Sequence, residues 1–155
     1  MIQPLYSGDF IRFVMPIIQA AEHSIEVLTY DWKWYPENPE HEIQQLNISM
    51  VAAVSRGVKV RAYVQDRQMV NFLKSHGIKA RLAENQATLH AKMLIVDDKQ
   101  VVIGSHNLTH RAMSYNIETS VLIDDPDIVA HHKTCLLYTS PSPRDRTRSR
   151  MPSSA

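Results

Sequence analysis

The sequence predicts an α/β fold, and three observations carry that prediction. Stretches with apolar residues at helical spacing alternate with short runs rich in Val, Ile and Leu, several of which alternate apolar and polar positions. Glycines and an Asp-Pro pair punctuate the junctions. No internal repeat is present, so the layers belong to one unit rather than to an array.

The elements follow in order. After Ser7-Gly8-Asp9, the residues Phe10, Val14, Ile17, Ile18 and Ala21 fall on one helical face, and Pro16 is expected to kink or restart that helix. Residues 24–30, SIEVLTY, read as the first strand. Ile43, Leu46, Met50 and Val54 mark a second helix ended by Gly57. In VKVRAYV, residues 58–64, Val58, Val60, Ala62 and Val64 lie on one strand face. A third, short helix runs to Gly77. Residues 78–82, 91–97 and 100–105 are then strands, with Asp98-Lys99 expected as the tight turn between the last two. Residues 118–123 form another. Asp124-Asp125-Pro126 opens a final helix with a capping carboxylate and a proline in its first turn, and only PDIVAHHK is expected of it, a truncated element.

At 155 residues, 44% hydrophobic and 21% charged, the chain is long enough for one globular domain and not for two. No run reaches the roughly eighteen uncharged apolar residues of a membrane helix, and Asp9 and Arg12 interrupt the N-terminal run. Neither a span nor a signal peptide is predicted, and the cytoplasm is the expected compartment. The composition shifts at Cys135. Residues 135–155 are rich in Ser, Pro and Arg without any period, and they read as a non-native disordered tail: CLLYTSPSPRD and SRMPSSA resemble the translated ends of a sequencing-library adapter. Residues 1–134 are then the domain, with 13 Lys+Arg against 15 Asp+Glu, a formal charge of −2 instead of +1. That body has no cysteine, which excludes disulfides and thiol chemistry, and a basic C-terminal nucleic-acid arm would be a false inference.

One constellation carries chemistry: His90-Ala91-Lys92, four residues, Asp97, then Gly104-Ser105-His106-Asn107 and Asn116-Ile117-Glu118. His90 and Lys92 are two apart at the start of a strand, so an imidazole and a cation share one face while Ala91 is expected to pack on the other. Lys92 offers a point charge to a phosphate oxygen, Ser105 and Asn107 can add neutral donors, and such a set can stabilise a five-coordinate phosphorus. The pattern resembles the phospholipase D superfamily, whose signature is HxKxxxxD followed by GSxN and a downstream acid. The resemblance extends over most of residues 1–134.

The resemblance implies a mixed β-sheet flanked by helices on both faces, an α/β/α sandwich. It implies a phosphodiesterase in which His90 attacks phosphorus to give a phosphohistidine that water hydrolyses, with no metal or other cofactor. It also implies that Glu118 holds the other ring nitrogen of His90. Gly104 belongs to the motif. Asp97 reads as structural, since it closes a strand roughly 20 Å from His90 at about 3.3 Å per residue. His106 and His110 flank the motif without the spacing of zinc ligands, so no metal site is expected.

The segment Tyr30-Asp31-Trp32-Lys33-Trp34-Tyr35 follows the first strand, where ligands of open sheets bind. Trp32 and Trp34 either cap the core or a subunit contact, or they form a stacking platform for a base or head group. The substrate is expected to be a phosphodiester, of a phospholipid or of nucleic acid; a phosphate-binding module without turnover is the competing class. In the resembling family a second HxKxxxxD motif supplies an acid for the leaving group. The chain has one such motif, so a homodimer or a missing second half of the same gene is expected.

Overall fold

The computed structural model describes residues 1–83, 88–134 and 136. Seven strands form one mixed sheet: β1 (Ile2–Tyr6), β2 (Ser24–Leu28), β3 (Lys59–Val64), β4 (Lys79–Leu82), β5 (Met93–Val96), β6 (Gln100–Gly104) and β7 (Thr119–Ile123). Their order across the sheet is β1-β7-β6-β5-β2-β3-β4. The pairs β2–β3 and β3–β4 are parallel, and the other neighbours are antiparallel. Consequently β1, β2, β3, β4 and β6 end at the same edge of the sheet at which β5 and β7 begin.

Among the described residues five helices cover the faces: α1 (Asp9–Gln19), α2 (Glu42–Ser55), α3 (Arg67–Ser75), α4 (His110–Ser114) and α5 (Pro126–Lys133). Strand alternation produces two cores. Ile25 and Val27 of β2, Val60 and Ala62 of β3, Leu94 and Val96 of β5 and Val102 of β6 pack with Phe10, Val14 and Ile18 of α1, Leu46 and Met50 of α2 and Leu73 of α3. On the other face Leu28, Met93, Ile95 and Val101 meet Val129 of α5. Helices thus lie on both faces, as expected, but among the described residues α5 alone covers the second. Val129 is its one fully buried side chain, a contribution of about 2 kcal/mol.

Several local expectations are corrected. Pro16 sits inside a continuous α1, because both it and Arg12, the residue whose carbonyl loses its partner, are exposed and water can serve that carbonyl. β1 and α4 had no sequence signal. β1 carries Pro4 and lies at the sheet edge, where a missing N–H is tolerated. α4 spans 5 residues, too few to show a period, and is started by the Thr109 hydroxyl accepting Ala112 N–H at 3.1 Å. The β5–β6 turn is centred on Asp97-Asp98 instead of Asp98-Lys99: both have φ of 54°, and Lys99 N–H donates to Val96 O at 3.0 Å. Ala91 is exposed rather than packed, because β5 begins only at Met93; Leu89 fills the second core instead. The adapter-like segment lies outside the described residues except for Leu136, which is buried in the second core. Among the described residues no helix is long and apolar enough to cross a membrane.

Candidate active site

The strand directions decide which residues meet. His90 and Lys92 precede β5, Ser105 and Asn107 follow β6, Glu118 precedes β7 and Tyr30 follows β2, so all lie at one edge of the sheet. Lys92 extends the ladder, its carbonyl accepting Gly104 N–H at 3.4 Å. Its Nζ lies 3.2 Å from His90 Nδ1 and 3.3 Å from Nε2, and donates to the His90 carbonyl at 2.7 Å. Tyr30 backs the pair: its ring is 5.2 Å from the His90 ring and 5.6 Å from Lys92 Nζ, a cation–π contact. Burial draws the Lys92 pKa below its ordinary value, while the Glu118 carboxylate pulls in the opposite sense. The charge of Glu118 is therefore felt at Lys92.

Glu118 is held on both oxygens, by Ser105 and Asn116 and not by the ring nitrogen of His90 that the resemblance implies. Ser105 Oγ donates to Oε1 at 2.5 Å and Asn116 Nδ2 to Oε2 at 3.0 Å. Ser105 Oγ in turn accepts Thr119 N–H at 3.0 Å, so its single proton is directed at the carboxylate. Asn107 is oriented by Asp31, whose backbone N–H donates to Oδ1 at 3.2 Å. An N–H can only be met by the amide oxygen, so both Nδ2 protons remain for another acceptor.

Gly104 is required by space. A Cβ there would fall 2.4 Å from Ser120 Cα and 2.2 Å from its Oγ, and that hydroxyl is engaged 2.7 Å from His106 Nδ1. His106 is buried, its ring against Phe10, with Nε2 2.8 Å from the Ser7 carbonyl. A carbonyl only accepts, so Nε2 carries the proton and Nδ1 accepts from Ser120. Burial draws the His106 pKa below its usual value, against the Ser7 carbonyl and the charges of Glu118 and Asp9. His110 stacks on His41 at 4.5 Å. Among the described residues no group of three or more His, Cys, Asp or Glu is arranged to hold a metal.

Asp97 lies at the other end of β5. Its carboxylate accepts the backbone N–H groups of Glu22, His23 and Ser24 at 2.7 to 3.2 Å, and its own N–H donates to Ser24 O at 2.7 Å. Burial raises its pKa, but those amides and His23 outweigh it and hold the carboxyl below the ordinary value.

The two tryptophans separate. Trp32 is 2% exposed, its indole N–H donates to Asn47 Oδ1 at 2.7 Å, and it is therefore built into the core. Trp34 is half-buried and packs against Phe72 at 5.1 Å. Tyr30 and the buried Gln44 and Asn47 that pin this segment to α2 were not singled out from the sequence, and Asn116 was quoted in the motif without a role. Their spacing carries no period, and only Tyr30 lay in a segment already marked as a strand end.

Residues 14–136 match the family model described as cardiolipin synthase, PLD-like domain. The chain is similar to a phospholipase D from Rickettsia conorii, with 26% identity over 76% of this chain and 57% of that protein. It is similar to mouse mitochondrial cardiolipin hydrolase, 30% identical over 55% of this chain and 41% of that protein. The chain thus spans about half the length of these curated relatives. Among solved structures it resembles Nuc, a phospholipase D family member from Salmonella typhimurium, at 27% identity and a TM-score of 0.75, covering 90% of this chain and 93% of that one.

Proposed function

Because the chain belongs to the phospholipase D superfamily, we propose that it is a phosphodiesterase that cleaves a phospholipid or nucleic-acid diester through a covalent intermediate on His90. The observation that carries this reading is the Lys92 ammonium lying 3.2 and 3.3 Å from the two ring nitrogens of His90, at the sheet edge where Asn107 and Glu118 also lie. A nucleophile and a cation for the phosphate are thereby delivered together.

In the first step a ring nitrogen of His90 bonds to phosphorus and the bond to the leaving oxygen breaks, that oxygen taking a proton from an acid. In the second, water attacks phosphorus, the nitrogen–phosphorus bond breaks, and the same group, now a base, takes the water's proton. Lys92 and the Nδ2 protons of Asn107 stabilise the equatorial oxygens. Glu118, held by Ser105 and Asn116, stabilises the positive charge that His90 acquires. Ser105 serves chiefly by fixing Glu118. The chemistry calls for no metal, and a chelator should leave the rate unchanged.

The acid for the leaving group is the His90 of a second copy, facing the first across a twofold axis, or the corresponding group of a second half of the gene. Exposed apolar side chains at this edge support a covered surface: Tyr6 ends β1, Tyr30 follows β2, and Tyr115 and Ile117 stand just before Glu118. The test is to quench turnover of a slow diester and map the protein by mass spectrometry. Acid-labile phosphorylation on the His90 peptide is expected. Hydrolysis with no adduct would overturn the mechanism, and phosphate binding with neither would make this a binding module. Specific activity that stays constant on dilution to a monomer would overturn the paired site.

A further inference from the structure

Tyr30 separates two spaces. On one side are His90 and Lys92; on the other it lines a cavity of about 270 Å³ with Trp34, Met69, Phe72, Gln65 and Asp66. The cavity opens where β2 and β3 end, so a group one linkage from a phosphorus held at His90 lies within its reach. Resting on the phosphodiesterase reading above, we infer that this cavity receives the nucleobase adjoining the scissile phosphate, which makes the substrate a nucleic-acid strand.

The lining matches a flat ring with polar edges. Tyr30, Trp34 and Phe72 offer aromatic faces and Met69 a soft apolar contact, while Gln65, Asp66 and Asp31 place polar groups around them. The volume is also below the roughly 300 Å³ at which drug-sized ligand sites begin, enough for one ring system.

The platform is held before any ligand arrives. Lys33 and Tyr35, on either side of Trp34, are fixed by α2: Asn47 Nδ2 donates to the Lys33 carbonyl at 3.0 Å, and Tyr35 N–H donates to Gln44 Oε1 at 2.7 Å. Lys33 N–H also donates to the Leu108 carbonyl at 2.9 Å. Gln65 accepts the N–H of Leu89, the residue before His90, so its amide protons remain for a base and its position is tied to that of the nucleophile.

The experiment uses the full chain and the anisotropy of a labelled single-stranded DNA oligonucleotide, beside the same oligomer with every base removed. Stacking of one base should make the intact strand bind roughly ten- to a hundredfold more tightly. Trp34→Leu, or Phe72→Leu where the first does not fold, should bring the two affinities together. Equal affinities in the wild type, or a preference unchanged by both variants, would overturn the inference whether or not the chain turns over. Binding to vesicles of phosphatidylcholine and cardiolipin in preference to the oligonucleotide would overturn it in favour of a lipid. Base-selective binding without a His90 adduct would instead sink the phosphodiesterase reading and leave the cavity assignment standing.

Discussion

The two ends of β5 are built in opposite ways. At the end where it begins, His90 is exposed and its ring nitrogens lie beside Lys92 Nζ, with Tyr30 behind. At the end where it stops, the Asp97 carboxylate is filled by three successive backbone amides. One sequence signature therefore spans the proposed reactive site and a brace. Groups that must exchange partners during a reaction are left with few, and the group that holds two segments of chain together has its acceptor sites taken.

Variants at the two ends should separate activity from stability. The largest effect is expected of His90→Ala, which should remove turnover altogether while unfolding free energy in urea stays within about 0.5 kcal/mol of the parent. A loss of stability there would mean that the reactive end is also structural. Lys92→Ala should lower kcat/KM by about a hundredfold, as for one preorganised donor, again without unfolding. Asp97→Asn keeps the shape and tolerates the positive φ but removes the charge. It should cost about 2 kcal/mol in urea unfolding and leave activity per folded molecule unchanged. A drop in kcat at constant folded fraction would break the distinction between the two ends.

Two smaller effects depend on pH. The His106 pKa is lowered in the folded protein, so the unfolded chain binds the extra proton more readily. Stability from this group is complete above the ordinary value of 6.5 and declines as pH falls through the window below it, which melting temperatures from pH 8 to 5 would record. Replacing His106 with Gln should flatten that decline. Glu118→Gln removes the charge that opposes the lowering of the Lys92 pKa. The alkaline limb of kcat/KM should then move to lower pH, and an unmoved limb would show that Lys92 does not set it.

Much of this contrast was legible before any coordinates. Strands β2 to β7 were recognisable as short β-rich runs, one of them by the alternation of Val60, Ala62 and Val64, and Asp97 was separated from His90 by counting residues along a strand. What alternation cannot report is which distant segment answers a side chain. Nothing near Asp97 in sequence indicates that its partners are residues 22–24, and nothing near Asn107 indicates that Asp31 N–H turns its amide. The exposure of Ala91 escaped for a related reason. The periodicity of a strand was extended to residues that lie before the strand begins. Trp32 and Trp34 are two apart and chemically identical, and what makes one of them core comes from distant segments, Asn47 on α2 and the bridge to Leu108.

The sheet order has a consequence for the growing chain. Among the described residues β1 pairs with β7 alone, so the first strand to be synthesised has no partner there until residues 119–123 have been made. At about 5–20 residues per second that interval is on the order of ten seconds. During it the backbone of β1 has no strand to pair with, although Leu5 can already meet α1, whereas β2, β3 and the helix between them can close as a local right-handed unit. Pro4 in the middle of β1 removes one of the free N–H groups through which another nascent chain would pair. The residue that hid this strand from pattern reading is thus one that guards it against premature partners.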